Sequence, residues 1–134
     1  SEGTVIGSDN SADFKQASYI YKKNQLLISI SPKDFSFILE DHISEIFGIL
    51  SKAGVKVHLM QNSALSFSIC ASMKKTMLEP LINRLSEKFR VKYNEQVDLL
   101  TIRHYKNHKF PEKLKDKKVL IKQRSRSTLR YVLS

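Results

Sequence analysis

Leu39, Ile43, Ile46, Phe47 and Leu50 recur at i, i+4, i+7, i+8 and i+11. That spacing draws a single apolar stripe and predicts an amphipathic helix laid on a core. Asp34, Ser36, Glu40 and Asp41 enrich its start with caps and negative charge, Lys52 places a cation near its end, and Gly54 stands as the C′ residue. The period then drops to two. Val55, Val57 and Leu59 alternate, Gln61-Asn62-Ser63 turns the chain, and Leu65, Phe67 and Ile69 alternate again with Ser66, Ser68 and Cys70 facing the other way. A second helix is predicted through Met77, Leu78, Leu81, Ile82, Leu85 and Phe89. A Thr76-x-x-Glu79 capping box would start it late enough to keep Pro80 in the first turn; the alternative is a kink near Pro80. Further strands are predicted at 14–21, closed by a Lys22-Lys23-Asn24 turn, at 26–31, broken by Ser31-Pro32-Lys33-Asp34, and from Arg90 to Tyr93.

The order from residue 26 to Tyr93 is β-α-β-β-α-β. This is the ferredoxin-like order, an α+β fold in which helices cover one face of an antiparallel sheet. The chain also repeats itself. Val57-His58-Leu59-Met60-Gln61-Asn62-Ser63 and Val119-Leu120-Ile121-Lys122-Gln123-Arg124-Ser125 both fit V-x-[LI]-x-Q-x-S, and Leu26-Leu27-Ile28-Ser29-Ile30 is echoed by Leu99-Leu100-Thr101-Ile102-Arg103. Repetition in fixed order implies one supersecondary unit used twice. The second copy is shorter between its matched strands and carries only a short polar stretch around Phe110-Pro111-Glu112-Lys113-Leu114, with strands expected at 99–105, 119–123 and 128–133. Left alone it is incomplete and needs a borrowed strand, for which 14–21 is the spare one. The expected organisation is an arm at 1–12 rich in Gly, Ser, Asp and Asn, a lent strand at 13–24, a complete unit at 25–97 and a reduced one at 98–134.

Charge sharpens the difference between the copies. Residues 1–100 hold 12 Lys and Arg against 11 Asp and Glu, whereas 101–134 hold 11 against 2. A basic surface of this kind can meet phosphates or an acidic partner, but a solvated face, or one that docks on a piece of protein beyond this sequence, is the preferred reading. The single Cys70 excludes a disulfide framework, fits a reducing compartment, and by default is a small buried side chain. There is no run of 18 apolar residues and no signal-peptide pattern, so a cytoplasmic protein without a membrane partner is expected. The opening Ser-Glu-Gly-Thr, without an initiator Met, suggests a processed protein or an excised domain. His104 and His108 lack acidic or Cys partners nearby in sequence, so no metal site is expected. No G-x-x-x-x-G-K-[ST] loop is present.

Several segments, taken in order, resemble the regulatory region of aspartokinases, and within that family the enzymes of Bacteroidetes-type bacteria. They are Gly3-Thr4-Val5-Ile6 with Tyr21-Lys22-Lys23-Asn24; residues 36–69 with Glu45-Ile46-Phe47-Gly48-Ile49-Leu50 and 57–63; and the stretches from Leu99 to Tyr105 and from Arg124 to Thr128. The resemblance covers nearly the whole chain. It implies tandem ACT domains, a ferredoxin-like one and a reduced second one, with one inserted into the other so that a preceding strand completes the second. It also implies a homodimer through the ACT domains, a kinase domain of the same chain before Ser1, and an end-product amino acid as effector. ATP and Mg would belong to that kinase domain; no cofactor and no catalytic residue is expected within these residues.

Carried over residue by residue, the effector loop is Ser36, Phe37, Ile38, Leu39, Glu40, Asp41, His42 and Ile43, and the facing segment is Val57, His58, Asn62 and Ser63 with Gln61 beside them. N–H groups at a helix start suit a carboxylate, and strand carbonyls suit an ammonium. Asp34, Glu40 or Asp41 could pair with a lysine ammonium, whereas Gln61 and Asn62 suit a threonine hydroxyl. Asp41 departs from the family, where Gly is frequent at this place and lets a ligand approach the backbone. Without the resemblance, Glu40 and Asp41 read as ordinary helix-start acids and 61–63 as turn chemistry. The expected function is feedback inhibition of a parent enzyme that phosphorylates L-aspartate with ATP, by lysine or, next, threonine. The rivals are a purely structural dimerisation domain and a basic nucleic-acid-binding module. Lys117, Lys118, Arg124, Arg126 and Arg130 favour the latter, and the lack of an RNP aromatic signature opposes it.

Overall fold

The computed structural model describes residues 18–104 and 110–134. The expected arm at 1–12, residues 13–17 of the lent strand, Tyr105 and His108 lie outside them. The elements are β1 (Ser18–Pro32), α1 (Glu40–Lys52), β2 (Lys56–Asn62), β3 (Phe67–Ser72), α2 (Leu78–Ser86), β4 (Phe89–Arg103), β5 (Val119–Arg124) and β6 (Thr128–Leu133). The strand order is β2-β3-β1-β4-β6-β5. By backbone proximity the chain forms two compact units, 24–95 and the pair of stretches up to 23 and from 96 onward.

Residues 24–95 carry the β-α-β-β-α-β succession, with strand order β2-β3-β1-β4. β3 runs antiparallel to both β1 and β2, with Ile28 opposite Ile69 and Asn62 opposite Phe67. Alternation along β1 sends Leu26, Ile28 and Ile30 to one face, where they meet Phe67, Ile69 and Ala71 of β3 and Phe89 of β4. The helices lie on that face: Ile46 and Leu50 of α1 and Leu81 and Leu85 of α2 complete the cluster, and Phe47 meets Phe67 edge-on at 5.6 Å. The end of α1 follows from one residue. Gly54 takes φ 71°, and the N–H groups of Gly54 and Val55 reach back to the carbonyls of Ser51 and Leu50 at 3.1 Å each, a Schellman closure that a β-carbon would strain.

Residues 18–23 and 96–134 build the other unit, with β6 antiparallel to both β4 and β5. Leu100, Ile102, Leu129, Tyr131 and Leu133 form its core, joined by Tyr21, Phe110 and Leu114. Between β4 and β5 the described residues carry a 3-10 turn, Glu112–Leu114. Phe110 just before it packs edge-on against Tyr131 at 5.0 Å. A polar tie accompanies this core. Tyr21 Oη donates to Asp98 Oδ2, and Lys117 Nζ stands 3.0 Å from the same oxygen. Asp98 is buried, so its charge is held by these partners rather than by water.

Four expectations need correcting. The strands at 14–21 and 26–31 are not separated by a turn. β1 runs unbroken from 18, and Asn24 answers the turn signal by adopting φ 59° within the strand. The strands expected from Arg90 and from Leu99 are likewise one, β4, with Gln96 at φ 56°. Leu39 is outside the helical stripe: it is the N-cap of α1, with no side-chain cap bond, and the segment containing Asp34 and Ser36 is a loop before the helix. In α2 the N-cap is Met77 rather than Thr76, the Thr76–Glu79 box does not form, and a 3-10 turn (Lys75–Met77) leads in. Pro80 does sit in the first turn, where its missing N–H costs nothing. Phe89 opens β4, although it continues the helical period.

Two outcomes are expected from the Asp98 tie. Burial first, then the hydrogen bond and the charge of Asp98, push the Tyr21 phenol from 10.0 up to about 12. The fold thus favours the protonated phenol; this contribution is complete below pH 10 and is lost as the pH rises from 10 towards 12. Burial also raises the Tyr131 phenol, so ultraviolet titration should show a late-ionising fraction of the tyrosines, and Tyr21→Phe should remove part of it. Asp98→Ala should cost about 3 kcal/mol in urea unfolding, because the buried tie loses its centre.

Candidate functional site

Between β1 and α1 the chain makes a short loop, and between β2 and β3 a tight turn. One backbone bond joins them: the N–H of Ile38 donates to the carbonyl of Ala64 at 2.9 Å. The turn is built by serines. Ser63 N–H donates to the Ser66 carbonyl at 2.9 Å, Ser63 Oγ to the same carbonyl at 3.2 Å, and Ser66 N–H returns to Ser63 Oγ at 3.2 Å. The second copy repeats this, with Ser125 N–H and Oγ donating to the Thr128 carbonyl at 2.8 and 3.2 Å. The shared Gln-x-Ser of the repeat therefore encodes a shared turn.

The loop is fixed at both ends. Asp34 Oδ1 accepts the N–H of Ser36 at 3.0 Å, and this side-chain and backbone bonding with Ser36 holds the Asp34 carboxyl below its ordinary range. At the other end the N–H of Leu39 donates to His42 Nδ1 at 2.9 Å, the returning half of a capping box with His in place of Glu. The His42 ring also meets Phe89 edge-on at 6.0 Å. Leu39 offers no side-chain cap bond to α1, so the first N–H groups of the helix take no acceptor from it, and the acids Glu40 and Asp41 stand in the same turn.

The candidate residues thus sort into groups. Ser36, Phe37, Leu39, Glu40 and Asp41 are exposed on the loop and helix start, and Gln61, Asn62 and Ser63 are exposed where β2 runs into its turn. These the structure brings together through the Ile38–Ala64 bond. Ile38, Ile43 and Val57 instead give their side chains to the core, so they can offer a ligand only backbone groups. His58 is elsewhere. It sits where the β2–β3 register shifts between Val57 and Leu59, and its Nε2 lies 2.9 Å from Ser72 Oγ. At about 3.3 Å per residue it stands roughly 16 Å from Ser63.

An apolar rim surrounds the group: Phe35, Phe37, Leu39, Met60 and Leu65 are all more than half exposed. β2 is the outermost strand of its unit. The chemistry available here is binding rather than bond-making. Cys70 is buried, and burial pushes its thiol up to about 11, far from a nucleophile. No group of three His, Cys, Asp or Glu among the described residues is placed to hold a metal, and no described helix is long and apolar enough to cross a membrane.

Phe35 was outside the expected set. It takes φ 61°, an uncommon backbone for an aromatic residue, and its ring lies 4.2 Å from the Arg90 guanidinium. With Ser29, Ser31, Pro32, Ser36, Leu65, Ser66, Arg90, Val91 and Lys92 it borders a cavity of about 450 Å3. The sequence signal was the alternation of Ser29 and Ser31 with core residues on β1, and of Arg90 and Lys92 with Phe89 and Val91 on β4. Replacing His42 by Ala should cost about 1 kcal/mol in thermal or urea unfolding, because Leu39 N–H loses its acceptor and Phe89 its edge contact.

No family model matches the sequence, and no curated protein does. Solved structures do. The chain is similar to a structure described as a C-terminal regulatory domain of aspartate kinase from Porphyromonas gingivalis W83, at TM-score 0.71 and 15% identity over 90% of this chain and 87% of that one. It is similar to Escherichia coli aspartokinase III solved with lysine and aspartate, at TM-score 0.68 and 19% identity, covering 86% of this chain but only 28% of the longer enzyme. A third likeness is the regulatory subunit of aspartate kinase from Thermus flavus, at TM-score 0.59 and 11% identity over 86% of each chain. The fold is that of aspartokinase regulatory (ACT) regions.

Proposed function

We propose that this chain is the amino-acid-sensing regulatory region of an aspartate kinase. The observation that carries the reading is the junction of an uncapped α1 start with the 63–66 turn through the Ile38–Ala64 bond, within a fold otherwise found in regulatory regions of that enzyme. The α1 N–H groups would take the effector carboxylate. Gln61, Asn62 and Ser63 would meet its side chain, with Glu40 or Asp41 favouring a lysine ammonium over a threonine hydroxyl. Lysine is the preferred effector, in keeping with the lysine of the Escherichia coli structure. The parent enzyme would phosphorylate L-aspartate with ATP through a kinase domain of the same chain. The exposed apolar rim and the outer strand β2 would be covered by a second copy. Effector binding would act by favouring one arrangement of parent over another, as differential affinity requires.

Calorimetry of the chain with lysine, threonine and methionine is expected to show binding of lysine, or next of threonine. Asn62→Ala combined with Ser63→Ala should weaken it by about tenfold or more while light scattering still reports a dimer. No heat with any of the three would turn the reading towards a structural dimerisation domain, and a monomeric mass would remove the pairing. Sequence-selective binding of oligonucleotides with a steep salt slope would favour the basic-module reading instead.

A further inference from the structure

The helix-free face of the 24–95 unit carries a feature the sensing role does not use. β1 sends Ile28 and Ile30 to the helices and therefore Ser29 and Ser31 to the opposite face; β4 does the same with Phe89 and Val91 against Arg90 and Lys92. The cavity of about 450 Å3 opens where these hydroxyls and cations meet the 32–36 loop and the 65–66 turn. That volume lies within the range of small-molecule pockets. Its lining contains two cations and no acid. Among the described residues no carboxylate is paired with Arg90 or Lys92. The nearest acid in sequence, Asp34, spends one oxygen on the Ser36 N–H.

The Phe35 ring settles how Arg90 is presented. The guanidinium carbon lies over the ring at 4.2 Å, a contact through the π-face that spends none of the guanidinium N–H donors on a hydrogen bond. Such a fork suits two oxygens of one carboxylate or phosphate. Lys92 brings a second positive charge. The Ser31 hydroxyl has no hydrogen-bond partner among the described residues, and the Ser29 hydroxyl, which accepts from Ser68 Oγ at 3.3 Å, keeps its own proton to donate. The loop is held over this arrangement by the Phe35 N–H to Pro32 carbonyl bond at 3.3 Å and by the Ser36 turn on Asp34.

We propose that this cavity binds a small oxyanion, the carboxylate or phosphate group of a low-molecular-weight ligand, held by the Arg90 fork and Lys92 with Ser29 and Ser31 as supporting donors. The site is independent of the sensing groups at the α1 start, although Ser36 borders both. A phosphate-bearing or a dicarboxylate ligand would use the same donors, and the two are separated by experiment.

The test titrates the chain with inorganic phosphate and, separately, with succinate, each at constant ionic strength against chloride, following amide resonances of 29–36 and 90–92 and the melting temperature. Saturable shifts at these residues are expected for one of the two anions, and the one that binds more tightly identifies the ligand class. Arg90→Ala and Lys92→Ala should each weaken binding by about tenfold. Arg90→Lys, which keeps the charge but not the fork, should recover only part of it. Arg124→Ala with Arg130→Ala, in the basic hollow formed by Gln123, Arg124, Ser125, Thr128 and Arg130, should change nothing. Lysine calorimetry on the Arg90 variants reports separately on the sensing site and on folding. Shifts that do not saturate for either anion, or that vanish with the Arg124 and Arg130 changes while surviving those at Arg90 and Lys92, would overturn the proposal.

Discussion

In the unit formed by 18–23 and 96–134, the carboxylate of Asp98 accepts from Tyr21 and pairs with Lys117, so one buried group ties three separate stretches of chain. The tie adds a directional constraint to the strand pairing of β4, β5 and β6. Among the described residues this unit has no α-helix, and one core cluster consists of Leu100, Ile102, Leu129, Tyr131 and Leu133 with Tyr21, Phe110 and Leu114 packed beside them. A purely apolar contact would tolerate a slip of β1 along its neighbour. A buried charge with fixed donors does not, because displacing either partner leaves an uncompensated carboxylate. The strong positive balance of 101–134 has a role here as well, since it supplies the lysine that answers Asp98.

The 24–95 unit is organised differently. Its core fixes the two helices on one face of the sheet, and the loops that leave the sheet are then pinned by short polar bonds rather than by burial. Asp34 to Ser36, Leu39 to His42, Ile38 to Ala64 and Ser63 to Ser66 form a chain of hydrogen bonds around exposed side chains. Such bonds give the segment a defined shape of its own. It is also replaceable residue by residue without opening the core, which suits a surface whose contacts set specificity.

Much of this was legible in the sequence. The stripe from Ile43 to Leu50, the closing Gly54, the alternation through 55–69 and the repeated Gln-x-Ser turn each follow from periodicity or from one residue's backbone needs. The failures share a cause: local patterns do not show where an element stops. Leu39 and Phe89 both continue a helical spacing, yet one caps α1 and the other begins β4. Lys22-Lys23-Asn24 carries turn chemistry that the sheet overrides, leaving only the left-handed backbone of Asn24. The contact of His58 with Ser72, beside the register shift of β2, is a feature that only strand pairing reveals. The cavity of Phe35 and Arg90 depends on strands distant in sequence, and only pairing reveals it.

Asn24 and Gln96 mark where the chain enters and leaves the 24–95 unit, both with left-handed backbone. All residues of that unit are contiguous, whereas its companion must wait for β6, at the far end of the sequence, before 18–23 acquires its full set of neighbours. During synthesis the inner unit can therefore close while the outer one is still a pair of unsatisfied ends. Order of assembly, with the loop between β1 and α1 formed first and the strands of 96–134 last, is thus written into the nesting of the chain.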